Sequence, residues 1–514
     1  MNNNAQVEAD FLDRLTFRRQ FLLGPRRYSP NNYWRHHKLN EQLFLSVHKD
    51  LNFYTNEKDK LKITLIGLAI DCTSPLKEEK EIVSDLLSHF DNIYSVIEAS
   101  KPLSGRWILI CQDADNTFIF TDPCGLRQVY FTTEKNIWCA SQPTLINEVE
   151  ELALTSNKSI IKLRESEHYK KRESAWVGNK TIFDNCMLLM PNHYFDFNAC
   201  AQVRFFPLQL LSRSNQADRL ATEVAKYLKN IMEGLNQRFN LRIGLSGGFD
   251  SRILLSATKD ISDQVSFNTT TLGRLKKHHS DMYVPLNLAK RFDLNHNILD
   301  YDKIPPPWFI KLLVKNVLEA RVSPILPKVK SIYVKLYALK PNTILISGSV
   351  TEIVRIRVEA FEYDPLIDRN NNANNLEPLL DLFGYNNDYV KDEVDSWLKT
   401  VDLSLIPEST AIEIFYWEQR MSTWGALHPA EVDIAAEAIS PFNCRLLLET
   451  CLKVPRTLRI APQCTFFREV IKRNWGEVLL EPINPGPKGF GLLKKTLRDN
   501  LPPMMVKQLR RLIT

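Results

Sequence analysis

No uncharged apolar run in this 514-residue chain approaches the ~18 residues that a membrane span requires, so a membrane-spanning protein is not expected. The nine cysteines are dispersed, with no C-x-x-C and no paired His/Cys spacing. That distribution argues against both a disulfide framework and a zinc site, and places the chain in a reducing compartment, the cytoplasm. The opening MNNNAQVEADFLDR lacks the basic-then-apolar layout of a secretory signal. There is no repeat of fixed period, and no low-complexity stretch beyond Asn370–Asn375. An aromatic-plus-basic nucleic-acid module is also missing, so nucleic acid is not an expected partner.

What remains is ordinary soluble composition: 44% hydrophobic and 25% charged, with a net charge of +6. The length suits roughly two to four domains. The positive excess is spread along the chain except in the tail Leu492–Arg511, which carries Lys494, Lys495, Arg498, Lys507, Arg510 and Arg511. Such a tail reads as a solvated helix, or as a contact for nucleic acid or an anionic membrane.

Two patterns divide the chain. Up to about residue 210, short aromatic and β-branched segments (Lys62–Ile70, Trp107–Cys111, Thr117–Thr121, Gln128–Phe131, Ile137–Ala140, His193–Phe197, Gln202–Phe206) alternate with turns, and one helix, Lys77–Phe90, lies among them. This predicts an antiparallel, sandwich-like α+β domain over 1–210. Polar Leu211–Ala217 then reads as a linker into a helix at Asp218–Asn236. From Leu241 onward strands alternate with helices: Leu241–Leu245, Gln264–Asn268, helix Asp281–Phe292, Asn297–Leu299, helix Ser331–Ala338, Thr343–Ile346. That predicts an α/β doubly wound parallel sheet in a second domain, 211–514, with ligands at the strand C-termini and a helical part from about 360.

The most informative segment is Leu241–Ser251, LRIGLSGGFDS, followed by apolar Ile253-Leu254-Leu255. Strand, glycine turn and helix together aim backbone N–H groups and a helix N-terminus at an anion. Gly247 and Gly248 allow the sharp turn, while Ser246 and Ser251 add hydroxyl donors. Asp250 would repel a phosphate, so it makes sense as a ligand for the Mg²⁺ that accompanies a nucleotide.

Other segments fit around this loop. Strand Gln264–Asn268 ends in Thr269-Thr270-Thr271, beside which adenine and ribose would sit. Ser280-Asp281 opens the next helix as an N-cap pair or as a functional pair. Strand Thr343–Ile346 leads into a second turn, Ser347-Gly348-Ser349-Val350-Thr351-Glu352, where Glu352 offers a second carboxylate to Mg²⁺. Lys488, within Pro485-Gly486-Pro487-Lys488-Gly489-Phe490, offers a cation for developing phosphate charge. Arg252 would pair with phosphate or substrate, or make a structural ion pair. The histidines in Tyr28–His37 and the pair His278-His279 lack partners at ligand spacing and read as surface or packing residues.

SGGFDS resembles the loop with which PP-loop ATP pyrophosphatases hold the pyrophosphate portion of ATP. The set as a whole resembles the asparagine synthetase family. SGGFDS, SFNTTT, Ser280-Asp281 with LAKRFDLNHNI, LISGS, Arg420-Met421-Ser422, Pro441-Phe442 with Arg445, and Lys488-Gly489-Phe490 match its synthetase domain in order. Leu103-Ser104-Gly105-Arg106-Trp107, the hairpin Asp122–Tyr130, Ala140-Ser141, Gly178–Phe183 and Pro191 resemble its Ntn-type class II glutamine amidotransferase domain. The resemblance implies ATP bound by Leu245, Ser246, Gly247, Gly248, Asp250, Ser251, Thr269, Ser347 and Gly348. It implies Mg²⁺ on Asp250 and Glu352, and catalytic roles for Lys488, Ser349 and Asp250. The implied reaction activates a small-molecule or peptide carboxylate as an acyl-adenylate, then amidates it with ammonia or an amine; a homodimer is a possible assembly.

The chain departs from the family at two places. The glutaminase reaction needs a cysteine directly after the initiator methionine, so that its own α-amine is the base. Asn2 stands there, and no cysteine occurs before Cys72. Glutaminase activity is therefore expected to be absent. The family's S-G-E-G-x-D-E loop reads Ser347-Gly348-Ser349-Val350-Thr351-Glu352-Ile353, so Ser349 replaces the glutamate that assists ammonia attack. A changed loop of this kind implies an acceptor or nucleophile other than that of asparagine formation. Alternatives are an amide ligase acting on a peptide, sugar acid or other natural-product or surface-polysaccharide substrate, a non-catalytic nucleotide-binding relative, and, least favoured, a PP-loop enzyme acting on tRNA.

Overall fold

A computed structural model of the chain describes residues 2–133, 136–171, 176–271, 275–276, 278–300, 303–317, 326–355, 387–406, 411–461 and 463–485. Asn370–Asn375, the tail Leu492–Arg511 and Lys488 lie outside the described residues.

The first twelve strands are β1 (Phe21–Gly24), β2 (Trp34–Lys38), β3 (Phe44–His48), β4 (Phe53–Lys58), β5 (Leu61–Asp71), β6 (Leu103–Gln112), β7 (Thr117–Thr121), β8 (Tyr130–Thr132), β9 (Cys139–Ala140), β10 (Cys186–Leu188), β11 (His193–Asp196) and β12 (Ala201–Arg204). They pair antiparallel into two six-stranded sheets, ordered β10-β8-β9-β1-β3-β2 and β12-β11-β7-β6-β5-β4. The sheets share a core in which Phe21, Leu23, Leu45 and Val47 face Ile66, Ile108, Ile110 and Ile119. Alternate residues of β6 (Trp107, Leu109, Cys111) point the other way, into a core that also holds the helices Glu79–Ser88 and Ala217–Arg238. Both faces of β6 are thus covered, which explains why its stretch Trp107–Cys111 is a continuous apolar run.

The remaining strands, β13 (Asn240–Gly244), β14 (Ser266–Thr270), β15 (His296–Leu299), β16 (Thr343–Ile346) and β17 (Glu437–Ile439), form one parallel sheet ordered β15-β14-β13-β16-β17. Chain order runs outward from β13 to β15, then returns to β16 on the other side. The reversal falls between β13 and β16, and such a reversal opens a crevice at the strand C-termini. β17 lies within the stretch read as helical, which otherwise carries the helices Asp388–Thr400, Arg445–Leu452 and Thr465–Trp475. No helix among the described residues is long and apolar enough to cross a membrane. All nine cysteines are free thiols.

A buried polar seam joins the antiparallel sheets to the parallel one. Arg106 on β6 grips Asp433 with both Nη atoms, at 2.8 and 2.9 Å, and also reaches Glu437 at 3.1 Å. Arg127 donates to Glu437 at 2.7 Å. Both guanidinium groups are 2% exposed, and burial on this scale is tolerated only because the charges are paired. Burial alone would raise the Glu437 carboxyl, but Arg127 and Arg106 hold it below its ordinary range. Asp122 closes its own loop by accepting from the Leu126 and Arg127 N–H groups, and then takes the Asn443 side chain at 2.7 Å. Asn443 in turn donates to the Gly105 carbonyl. Farther along, Glu418 receives Arg204, Asn192 and the Trp397 indole. The residues that resemble amidotransferase turns are therefore docking elements here.

The supposed linker Leu211–Ala217 is tied down as well, with Leu211 bonded to the Leu405 carbonyl and Ser214 to that of Lys453. Strand β1 is preceded by the helix Asn2–Leu15 and Gln20, so no free α-amine stands at its start.

Arg106→Ala would strand the buried Asp433 and leave Glu437 with Arg127 alone. The expected loss is roughly 3–5 kcal/mol of unfolding free energy, read from denaturant midpoints. A second test uses His48, whose Nε2 donates to the Arg14 carbonyl while Nδ1 accepts the Asp50 N–H, a pairing that fits only the neutral ring. Burial pushes its pKa down to about 4 from 6.5. The unfolded chain therefore takes up a proton that the native state refuses, and stability declines as pH falls from about 6.5 to 4, by up to about 3 kcal/mol from this group. Denaturation midpoints across that window should show the decline, and His48→Gln should flatten it.

Candidate functional site

The site is built at the reversal point of the parallel sheet. Ile243 on β13 stands opposite Ile346 on β16, so the Ser246–Ser251 and Ser347–Glu352 turns leave adjacent strands at the same level. The first turn is held by its own hydroxyls. Ser251 Oγ accepts from Ser246 N–H at 3.1 Å and lies 3.0 Å from Ser246 Oγ, which accepts from Gly248 N–H at 3.2 Å. The helix Phe249–Ser256 follows with Gly248 as its N-cap, a residue without a side-chain acceptor. Among the described residues no side chain caps the first-turn N–H groups, which converge with the helix dipole on the crevice.

The two turns touch. A Cβ on Gly348 would lie 2.7 Å from the Asp250 Cβ, so glycine is required for the approach. Val350 takes φ 78°, a left-handed backbone that a buried β-branched residue rarely adopts. Ser349 is fixed from both sides: its N–H reaches Ser347 Oγ at 3.2 Å and its carbonyl accepts Ser440 Oγ at 2.6 Å.

Two carboxylates converge here. Asp250 accepts from Thr351 Oγ1 and pairs with Arg355, whose guanidinium also lies over Phe249 and Phe467. Glu352 is pushed up to about 7 by burial and by the neighbouring Asp250 charge, and among the described residues its buried Oε2 has no hydrogen-bond partner. The Tyr416 phenol stands beside Glu352 and Arg420 and is raised by burial. An orphaned carboxylate oxygen next to a second acid fits a divalent cation. Among the described residues no group of three or more His, Cys, Asp or Glu forms a metal cage. Two acids suit Mg²⁺, which keeps waters and borrows phosphate oxygens.

The surrounding residues take definite places. β14 runs two residues beyond the expected strand, so Thr269 lies inside it; its buried hydroxyl donates to the Leu245 carbonyl at 2.8 Å and meets His296 at 2.9 Å. The helix Ser280–Phe292 is capped by His279, while Asp281 reaches across to accept Gly247 N–H at 2.9 Å. Arg252, read as pairing with phosphate or substrate or as a structural ion pair, is fully buried and donates to the carbonyls of Val478, Glu481 and Pro482. That clamp brings Asn484 to the loop, where its N–H meets the Gly247 carbonyl at 2.8 Å. The chain leading toward Lys488 thus leaves from the glycine turn, although Lys488 itself lies outside the described residues. Asn484, Arg355, Thr351 and Tyr416 were not expected from the sequence. Each acts across a long sequence separation, and only Thr351 lies within a turn that the sequence marks, Ser347–Glu352.

No family model matches this sequence, and no curated protein matches it. Among solved structures, the glutamine phosphoribosylpyrophosphate amidotransferase from B. subtilis, complexed with ADP and GMP, is similar over 67% of this chain and 72% of its own, at 7% identity and a TM-score of 0.20. A likeness that slight carries no argument about the site.

Gly348→Ala should push Asp250 out of place. The expected outcome is a stability loss of about 1–3 kcal/mol, measured by denaturation.

Proposed function

We propose that the chain is an ATP-dependent carbon–nitrogen ligase of the asparagine synthetase type, with residues 211–514 as its synthetase domain and 1–210 as a scaffold without glutaminase activity. The observation that carries this reading is the contact of two Ser-Gly turns at the reversal point of a parallel sheet, with a carboxylate on each turn. The Ser246–Ser251 turn is a PP-loop that holds the pyrophosphate portion of ATP. Asp250 and Glu352 hold Mg²⁺, which when bound supplies positive charge against the phosphates.

A substrate carboxylate attacks the α-phosphorus, forming an acyl-adenylate as pyrophosphate leaves. Ammonia or an amine then attacks the acyl carbon, and the amide forms as AMP departs. The first-turn N–H groups and Lys488 offset the charge that moves onto the leaving pyrophosphate. Ser349 stands where the family has a glutamate, which favours an acceptor other than the aspartate side chain. The pairing of Asp250 with Arg355 favours a second reading, a nucleotide-binding relative without ligase activity.

ATP–pyrophosphate exchange with Mg²⁺ across a panel of amino acid, peptide and sugar-acid carboxylates separates the two readings. The ligase reading expects exchange with at least one carboxylate, reduced about 10²-fold or more by Asp250→Ala. ATP binding without exchange on any carboxylate supports the second reading, and absence of ATP binding contradicts both.

A further inference from the structure

At the opposite end of the parallel sheet from the Ser-Gly turns lies a cavity of about 370 Å³, bounded by the starts of β16 and β17, the helix Asn2–Leu15 and the β3–β4 turn. Five cationic side chains line it (Arg14, Arg18, Arg19, Arg238 and Lys340) against three carboxylates (Asp50, Glu79 and Glu437). The carboxylates are already committed. Asp50 takes Arg18 at 2.6 Å and Arg14 at 3.6 Å, Glu79 takes Arg238 at 2.5 Å, and Glu437 serves Arg106 and Arg127 in the seam. Arg19 spends one Nη on the Asp433 carbonyl at 2.6 Å. Among the described residues, Arg19 and Lys340 make no ion pair within 4 Å, although Arg19 lies in the field of Asp50 and Glu437, and Arg14 shares its carboxylate with Arg18.

The backbone that presents these groups is held in an uncommon shape. Phe17 and Arg19 take φ 50° and 58°, a left-handed conformation that is unfavourable for residues other than glycine. Between them Arg18, 11% exposed, is pushed down to about 10 by burial and by Arg19. A strained turn that gathers like charges in a pocket needs a counter-charge, and arginine forks match planar or tetrahedral oxyanions. The volume falls in the small-molecule range of about 300–1,000 Å³.

We propose that this cavity is a binding site for a small organic oxyanion, a carboxylate or a phosphate, separate from the nucleotide crevice. Thermal unfolding of the full chain tests it, with inorganic phosphate and citrate as probes against sodium chloride at equal ionic strength. At least one probe should raise the melting temperature beyond chloride. Arg14→Ala combined with Lys340→Ala should weaken the midpoint of that effect about tenfold or more. Ser246→Ala, at the other end of the sheet, should leave it unchanged. Lys340→Ala alone, on an exposed side chain, supplies the same readout if the double variant does not fold. No rise beyond chloride with either probe, a rise that survives the loss of the cations, or a rise abolished by Ser246→Ala would each overturn the proposal.

Discussion

Two arginines without access to water decide how this molecule is assembled. Arg106 and Arg127 leave the antiparallel sheets and end on Asp433 and Glu437, and Glu437 opens β17, the edge strand of the parallel sheet. β17 pairs with β16, and β16 delivers the Ser347 turn to the crevice. The position of that turn relative to the N-terminal sheets is thus set through one pair of strands and one buried ion cluster. Single-partner loss at such a cluster is far more costly than the net worth of the pairs, because the remaining charge cannot be hydrated. The seam makes the N-terminal sheets a structural requirement for the C-terminal site, with or without glutaminase chemistry of their own.

At the crevice, favourable and unfavourable features meet. Uncapped N–H groups, a glycine pressed against Asp250, a valine in left-handed backbone and an orphaned Glu352 oxygen are all costly for an isolated fold. A bound polyanion with its cation would relieve several of them together: it would accept the N–H groups, and the cation would occupy Glu352. Asp281 on Gly247 N–H and Arg355 on Asp250 fill the same two roles within the chain, an anion on the loop and a cation on the carboxylate.

Much of this was legible in the sequence where the signal is local. SGGFDS announces itself because turn, donors and helix start lie within a few residues. The strands β13 and β16 are legible because apolar runs alternate with helical segments. Strands β1 to β4 were not legible. WRHHK on β2 carries mixed polarity, and its histidine His36 is satisfied by Ser29 and Ser46, a contact between separate elements. β17 is three residues long and begins with a glutamate, so it has no strand periodicity of its own. Arg252 could not be assigned because its partners are backbone carbonyls more than two hundred positions away. Arg106 and Arg127 sit in recognisable turns, but their partners depend on a docking that only the folded chain provides.

The most direct test of the account is a structure of the full chain with Mg²⁺ and α,β-methylene ATP. The account predicts the triphosphate against the N–H groups of Gly247–Ser251, with Asp281 displaced from Gly247 and Asp250 released from Arg355. Nucleotide bound elsewhere, with both contacts intact, would contradict it.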